Sequence, residues 1–342
     1  MKLTPEIFRR LPKTDLHCHL DGSLRVETII DLAEKQGVEI PSKDPDVLKK
    51  AVSVDDSTTS LEDYIKKFDI TLSVMQTPEA LERTAYELAE DAAKENVRYL
   101  EMRYSPILHT DRDMRETDTI DAVLRGLARA ENDFNILTGV IVCGIRSISP
   151  EVSLKLAELA VAYKGKGVLG FDLAGAEENY PAKDHREAFY IILNNNINTT
   201  LHAGEAYGPE SIHQALHYCN AHRIGHGTRL KEDGDLLNYV TDHRIPLEIC
   251  ITSNVQTHSV PSYQRHPLRF YYDYDVRVTL NTDNRLISNT DLTKEYTLAH
   301  QYYDFNIDDF KEIVINGFKS AFLPYRKRKV MIKEVLEELE EY

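Results

Sequence analysis

Apolar residues gather in this chain into short runs, each followed by a longer stretch in which they recur every three or four positions. The runs at residues 14–19, 97–104, 136–143, 168–174, 199–203, 223–225, 246–250 and 276–281 are of strand length. Between them the spacing turns helical. Thr77 is an N-cap before Pro78 at the first helical position, and Leu81, Ala85, Leu88 and Ala92 then mark one apolar face. Ser149-Pro150-Glu151 opens another helix, expected to bury Leu156, Leu159, Ala160 and Tyr163, and a last one carries Val330, Val335, Leu336 and Leu339. Strands alternating with helices imply parallel pairing and the α/β class. Polar residues collect at the C-terminal ends of the strand candidates, which predicts a (β/α)8 TIM barrel with its site on that rim. A doubly wound open sheet is the alternative, but it would place a ligand at one switch point, whereas these polar residues come from distant strands. The segment from Leu24 to Thr77 is too long for a simple connection. Its periodicity (Leu61, Tyr64, Ile65, Phe68, Leu72) predicts inserted helices over the barrel mouth. No repeat or linker divides the chain, so residues 1–342 read as a single domain.

Composition narrows the class of partner. A net charge of -15 argues against nucleic acid and anionic membrane. No apolar stretch is long enough to span a bilayer, and the N-terminus lacks a signal core, so the expected compartment is the cytoplasm. Cys18, Cys143, Cys219 and Cys250 are scattered without C-x-x-C pairing, as in a reducing compartment. The basic cluster Arg326-Lys327-Arg328-Lys329 reads as the solvated start of the last helix.

The candidate chemistry stands at strand ends. His17 and His19 project to one side of a strand, as alternate residues do, with Asp21 just beyond in the loop. Leu201-His202-Ala203-Gly204-Glu205, Gly225-His226-Gly227 and Asn281-Thr282-Asp283-Asn284 each close a further apolar run. A chain with 13 histidines throws up chance H-x-H pairs. Four histidines and an aspartate at strand ends nevertheless make a poor core, because each would need burial and a partner. Three imidazoles and a carboxylate suit a borderline metal with one position left for water. Glu205 is placed to carry protons, and glycine-flanked His226 to steady a hydroxide. Arg103, Tyr104 and Ser105 divide evenly between rim packing and a substrate contact. Three motifs are set aside. Gly165–Gly170 matches G-x-G-x-x-G but leads from helix into strand, the reverse of a dinucleotide turn. His213 and His217 have Gln214 where H-E-x-x-H needs glutamate, and Asn198-Thr199-Thr200, a formal glycosylation acceptor, enters a buried strand.

With these motifs in order, H-C-H-L-D-G at 17–22, R-Y-S-P at 103–106, D-L-A-G at 172–175, H-A-G-E at 202–205, G-H-G at 225–227, T-S-N-V-Q-T at 252–257 and N-T-D at 281–283, the chain resembles the adenosine/AMP deaminase family of metal-dependent amidohydrolases. The resemblance implies one zinc ion per chain held by His17, His19, His202 and Asp283, with His19 also facing the substrate. It implies that Glu205 protonates purine N1 while His226 and Asp283 position hydroxide for attack at C6. It implies a Gly175 N–H to N3 and Asp21 accepting the ribose 5′-hydroxyl, hence deamination of a small purine nucleoside in purine salvage. Family members carry a second aspartate where this chain has Asn284. An amide is a permanent donor, so a hydrogen bond to N7 survives the exchange.

Other readings predict different features. A sister deaminase would take adenine, AMP or a modified adenosine. A binuclear hydrolase would need a lysine at a strand end, and Lys94, Lys155 and Lys166 fall on helices or loops. A zinc-stabilised binding protein without turnover would need neither Glu205 nor His226.

Overall fold

Strand β1 (Lys13–His19) is buried at every position but the last, as expected of a strand covered on both faces. The computed structural model describes residues 2–55 and 58–342. It continues with β2 (Val97–Tyr104), β3 (Leu137–Ile145), β4 (Val168–Ala174), β5 (Asn198–Ala203), β6 (Arg223–His226), β7 (Leu247–Ile249) and β8 (Val278–Leu280). Each strand pairs in parallel with the next in the order β1 to β8, with helices in the connections: the expected (β/α)8 barrel. Strands β2 and β4 have the expected bounds, and other ends differ by one or two residues because ladder pairing, rather than hydrophobicity, ends a strand.

The seam between β8 and β1 is sewn largely by side chains. Its one backbone bridge joins Cys18 to Asp283. Below it the Leu16 N–H donates to Asn281 Oδ1 at 2.9 Å, and Thr282 Oγ1 donates to Asp15 at 2.6 Å. Strands β4 and β5 pair only at Gly170–Asn198 and Phe171–Thr199. Beyond that point the buried Arg146 guanidinium donates to the carbonyls of His202 and Tyr180, at 2.6 and 2.9 Å, and satisfies groups the ladder leaves free.

The helix Pro78–Ala93 starts as expected, with Thr77 accepting from the Ala80 N–H at 3.2 Å and Leu81, Ala85, Leu88 and Ala92 buried. The helix Pro150–Ala162 also starts where expected, but Ser149 makes no side-chain cap bond. Its buried face is Ser153, Leu156, Ala157 and Ala160, with Leu159 and Tyr163 only half-buried on its flank. In the last helix, Tyr325–Leu339, the covered stripe is Met331, Val335 and Leu339; Val330 and Leu336 face solvent. A stripe spaced by four residues is narrower than the one the apolar count implied. The segment after β1 does insert helices, Val26–Gln36, Pro45–Val52, Leu61–Ile65 and Phe68–Val74. Among the described residues no helix is long and apolar enough to cross a membrane. The four cysteines are buried and free.

Asn281→Ala removes the side-chain acceptor of the buried Leu16 N–H without touching the converging histidines. An unsatisfied buried donor costs about 1–3 kcal/mol. Urea unfolding should show that loss with an unchanged m-value, and an unaltered midpoint would mean that the seam holds without this bond.

Candidate active site

The single bridge that closes the barrel also assembles the polar rim. The Asp283 N–H donates to the His17 carbonyl at 2.8 Å and its carbonyl accepts from the His19 N–H at 2.7 Å, so the carboxylate stands between the two histidines. Its Oδ1 lies 3.4 Å from both His17 Nε2 and His19 Nε2. From β5, His202 brings Nε2 to 3.1 Å from that of His19. One donor atom from each of these four residues lies within 4.8 Å of the others. Among them His17 Nε2 is buried with no hydrogen-bond partner. Burial lowers the pKa of His19 and His202, leaving neutral rings with lone pairs. Three ring nitrogens and a carboxylate oxygen converging on one point, with His17 Nε2 buried and unpartnered, are the geometry of a cation site, and the donor set fits zinc. Gly225 makes room for the His17 ring, since a Cβ there would come within 3.1 Å of it.

The other ring nitrogens are held from below. His17 Nδ1 meets Glu248 at 2.9 Å and His202 Nδ1 meets Asp172 at 3.0 Å. Both carboxylates are bound by Arg103, at 2.9 Å each, and all three side chains are fully buried. Burial alone would raise the pKa of these acids; for Asp172, His202 and Arg103 reverse it, and for Glu248, Arg103 and Arg223 do. The expectation for Arg103 is thereby corrected. It is neither rim packing nor a substrate contact but the support beneath two of the converging histidines, His17 and His202. Tyr104 faces outward to Thr119 at 3.3 Å, and the Ser105 hydroxyl is buried without a partner.

Glu205 and His226 complete the rim. His226 sits at φ 64°, in the left-handed region, and its Nε2 is 3.5 Å from Glu205 Oε2. Burial, then the nearby Asp283 and Glu177 charges, push the Glu205 pKa up to about 8. The loop carrying Glu205 is fixed by a residue that the sequence reading missed. The buried Glu177 carboxylate accepts from the backbone N–H groups of Gly204, Glu205, Ala206 and Tyr207 at 2.6, 3.0, 2.6 and 2.8 Å. The available signal was its place two residues after D-L-A-G, in the next rim loop.

Above the rim lies a cavity of about 410 Å³, within the usual range for a small-molecule site. One wall is apolar, made by Leu61, Tyr64, Phe68 and Leu72 of the inserted helices. The Tyr64 hydroxyl ties this wall to Ser288 at 2.6 Å. On the polar side Asp21 is buried, its Oδ1 has no partner, and burial lifts its pKa to about 7. Asn284 also lines the cavity; Gly22 is required beside it, because a Cβ there would lie 1.8 Å from Asn284 Oδ1. Gly175 lines the cavity at φ 95°, a conformation that favours glycine and leaves its backbone open to a close approach. All the expected site residues therefore meet in one place. The set-aside features stay apart: His213 and His217 are exposed, and Lys94, Lys155 and Lys166 are on helices or loops.

Residues 12–338 match the protein family described as adenosine deaminase. The adenosine deaminase of Clostridium kluyveri is 40% identical over 317 residues, 93% of this chain and 91% of that one. Among solved structures, the adenine deaminase of Arthrobacter aurescens is similar with a TM-score of 0.90 at 25% identity, over 96% of this chain and 99% of its own. The N6-mAMP deaminase of Arabidopsis gives a TM-score of 0.86 at 26% identity, over 98% and 100%. With a match running from before β1 into the last helix, and a barrel rim that holds every motif of the resemblance, the chain belongs to the adenosine deaminase family.

Proposed function

We propose that this deaminase converts adenosine and 2′-deoxyadenosine to inosine and deoxyinosine with release of ammonia. The observation that carries the nucleoside reading is Asp21, a buried carboxyl in the cavity whose Oδ1 has no donor. A ribose 5′-hydroxyl supplies that donor without adding charge. A 5′-phosphate would bring like charge into a dry site, and a free base would leave the acceptor empty.

Held by His17, His19, His202 and Asp283, a zinc ion would lower the pKa of its water to roughly 7 and so supply hydroxide at neutral pH. The remaining work belongs to the chain. Glu205, protonated by burial, gives its proton to purine N1, which makes C6 electrophilic. His226 and Asp283 flank the attacking oxygen and aim it at C6. The hydroxyl proton then passes to the amine by way of the Asp283 carboxylate, ammonia leaves, and the C6 carbonyl with N1–H remains. The proton shed by the incoming water restores Glu205. The Gly175 N–H would meet N3, and the Asn284 amide would donate to N7. The likeness to an adenine deaminase and an N6-mAMP deaminase supports a second reading, a sister activity on adenine or a modified AMP, with the same rim chemistry. A binding protein without turnover is disfavoured, because ligand binding alone would not require Glu205 buried beside His226.

Removal of metal by a chelator should abolish ammonia release, and zinc or cobalt should restore it. Metal analysis should find less zinc in His17→Ala, His19→Ala and His202→Ala; unchanged content would take that residue out of the ligand set.

Glu205→Gln keeps the shape without the transferable proton, so turnover should fall roughly 10²–10⁴-fold with zinc retained. The working form is the protonated acid, so kcat should decline as pH rises through the Glu205 pKa. The free value is about 8, and a bound dication will draw it lower. In Glu205→Gln that alkaline limb should vanish. A limb that persists unchanged belongs to another group.

The substrate is decided by ammonia release from adenosine, 2′-deoxyadenosine, adenine, AMP and cytidine. Adenosine and 2′-deoxyadenosine should lie within about tenfold of each other, a gap under roughly 1.4 kcal/mol, with the other three far behind. Adenine or AMP ahead of adenosine would move the chain to the second reading. Asp21→Ala should raise KM for adenosine and narrow its lead over 5′-deoxyadenosine; an unchanged ratio means that Asp21 reads something else.

A further inference from the structure

Beside His226, on the side away from Glu205, runs a chain of buried polar groups to which the mechanism above gives no task. Asn254, in the T-S-N-V-Q-T segment, is fully buried in the short helix Ile251–Gln256 after β7. His266 is buried behind it. Three hydrogen bonds connect a backbone amide to His226, and the direction of each follows from the one before.

The first is unambiguous. The Leu268 N–H donates to His266 Nδ1 at 3.0 Å, and a backbone amide can only donate, so that nitrogen carries a lone pair. Burial lowers the His266 pKa to about 3, so the ring is neutral and its one proton is on Nε2. That nitrogen lies 3.0 Å from Asn254 Oδ1 and donates to it. The amide cannot then be flipped: its oxygen faces His266 and its NH2 faces His226. Asn254 Nδ2 therefore donates to His226 Nδ1 at 2.9 Å. His226 must keep a lone pair on Nδ1 and its proton on Nε2, the atom nearest Glu205.

We propose that Asn254 and His266 are positioning residues that lock His226 in the Nε2–H tautomer, so that it meets the attacking oxygen as a hydrogen-bond donor and is barred from acting as its base. The proposal rests on the deaminase reading of the site. It assigns proton acceptance to the carboxylates, which have free lone pairs, and assigns His226 the stabilisation of negative charge on oxygen. The lock is a matter of bond direction. The His266 Nε2–H fixes which end of the Asn254 amide faces it, because the flipped amide would set its NH2 against that N–H and leave a buried donor unpaired.

The test is a long-range ¹H–¹⁵N correlation spectrum of zinc-loaded protein labelled at histidine, with the His226 signals assigned by loss in His226→Gln. The expected result is an unprotonated Nδ1 and a protonated Nε2; the reverse pattern overturns the proposal, and the pattern itself is read on the wild-type protein. Asn254→Asp supplies the functional arm. Aspartate keeps the shape and still accepts from His266 Nε2–H, but it offers His226 an acceptor in place of a donor. It should switch the His226 proton to Nδ1 and lower kcat for adenosine about 10²-fold, with KM and zinc content within about twofold. A switched tautomer with wild-type kcat overturns the proposal. His266→Gln keeps a donor toward Asn254 and should retain more turnover than His266→Leu, which frees the amide to flip; equal values count against the lock. Wild-type protein inactive on every purine would sink the deaminase reading while leaving the tautomer measurement to stand or fall alone.

Discussion

The rim depends on one buried guanidinium. Arg103 reaches Asp172 with one nitrogen and Glu248 with another, both at 2.9 Å, and a 2.5 Å bond to the Leu16 carbonyl fixes it in the barrel. The two carboxylates take Nδ1 of His202 and His17 and leave each Nε2 facing the shared centre. Glu248 also takes Thr200 at 2.8 Å and Arg223 at 2.5 Å, and Arg223 runs on to Glu101 and the Ser320 carbonyl. A buried ion pair contributes little net stability, because desolvation offsets attraction, yet loss of one partner costs about 3–5 kcal/mol. What the network contributes is direction. Two planar forks and three carboxylates admit few arrangements, and the one adopted aims two imidazoles.

Backbone geometry does for Asp283 and His226 what the charge network does for His17 and His202. Both residues take left-handed conformations, at φ 59° and 64°, which cost a non-glycine residue roughly 1–2 kcal/mol. In a continuing strand the next side chains would alternate between faces. A left-handed step at the strand end turns them over the barrel mouth instead. The strain is held in place by the two bonds from Asp283 to β1 and by the Gly227 N–H on the Ala203 carbonyl at 3.0 Å.

The strand and helix order, the barrel and the converging histidines were all legible, because each is written in local spacing: alternation for strands, N-caps for helices, polar residues closing apolar runs. What aims those histidines was not. Asp172 and His202 are 30 residues apart, and His17 and Glu248 are 231 apart. Such pairs exist only once the barrel closes. A trace was present in strands such as Leu247-Glu248-Ile249 and Phe171-Asp172-Leu173, where a lone acid interrupts a buried run and must find a cation inside. Glu177, Asn254 and His266 were further out of reach: a place in or beside a motif marks a residue but not which distant loop or ring its side chain holds. The same limit explains Arg103, whose place in R-Y-S-P said that it mattered but not which way it faced. In the last helix the apolar count overstated the covered face, and Val330 and Leu336 are left in water.

The buried acids divide by environment, and this division makes a rim that could hold a cation also one suited to acid–base work. Asp172, Glu248 and Asp283 lie against guanidinium or imidazole groups, which outweigh the burial that opposes their charge and hold them well below the carboxylate range. Asp21 and Glu205 are equally buried but have no cation of their own, and desolvation lifts them to about 7 and about 8. The charged group is beneath and between the histidines, where a cation needs anions. The two acids without a cation line the cavity, where burial brings both into the range in which a carboxyl can hold or release a proton near neutral pH. The apolar wall of Leu61, Phe68 and Leu72 keeps that side dry, so the inserted helices help set the protonation state of residues far from them in sequence. Lining the same wall with neutral polar groups would rehydrate both acids and pull their pKa values down together, and the difference in environment that separates Glu205 from Asp283 would shrink.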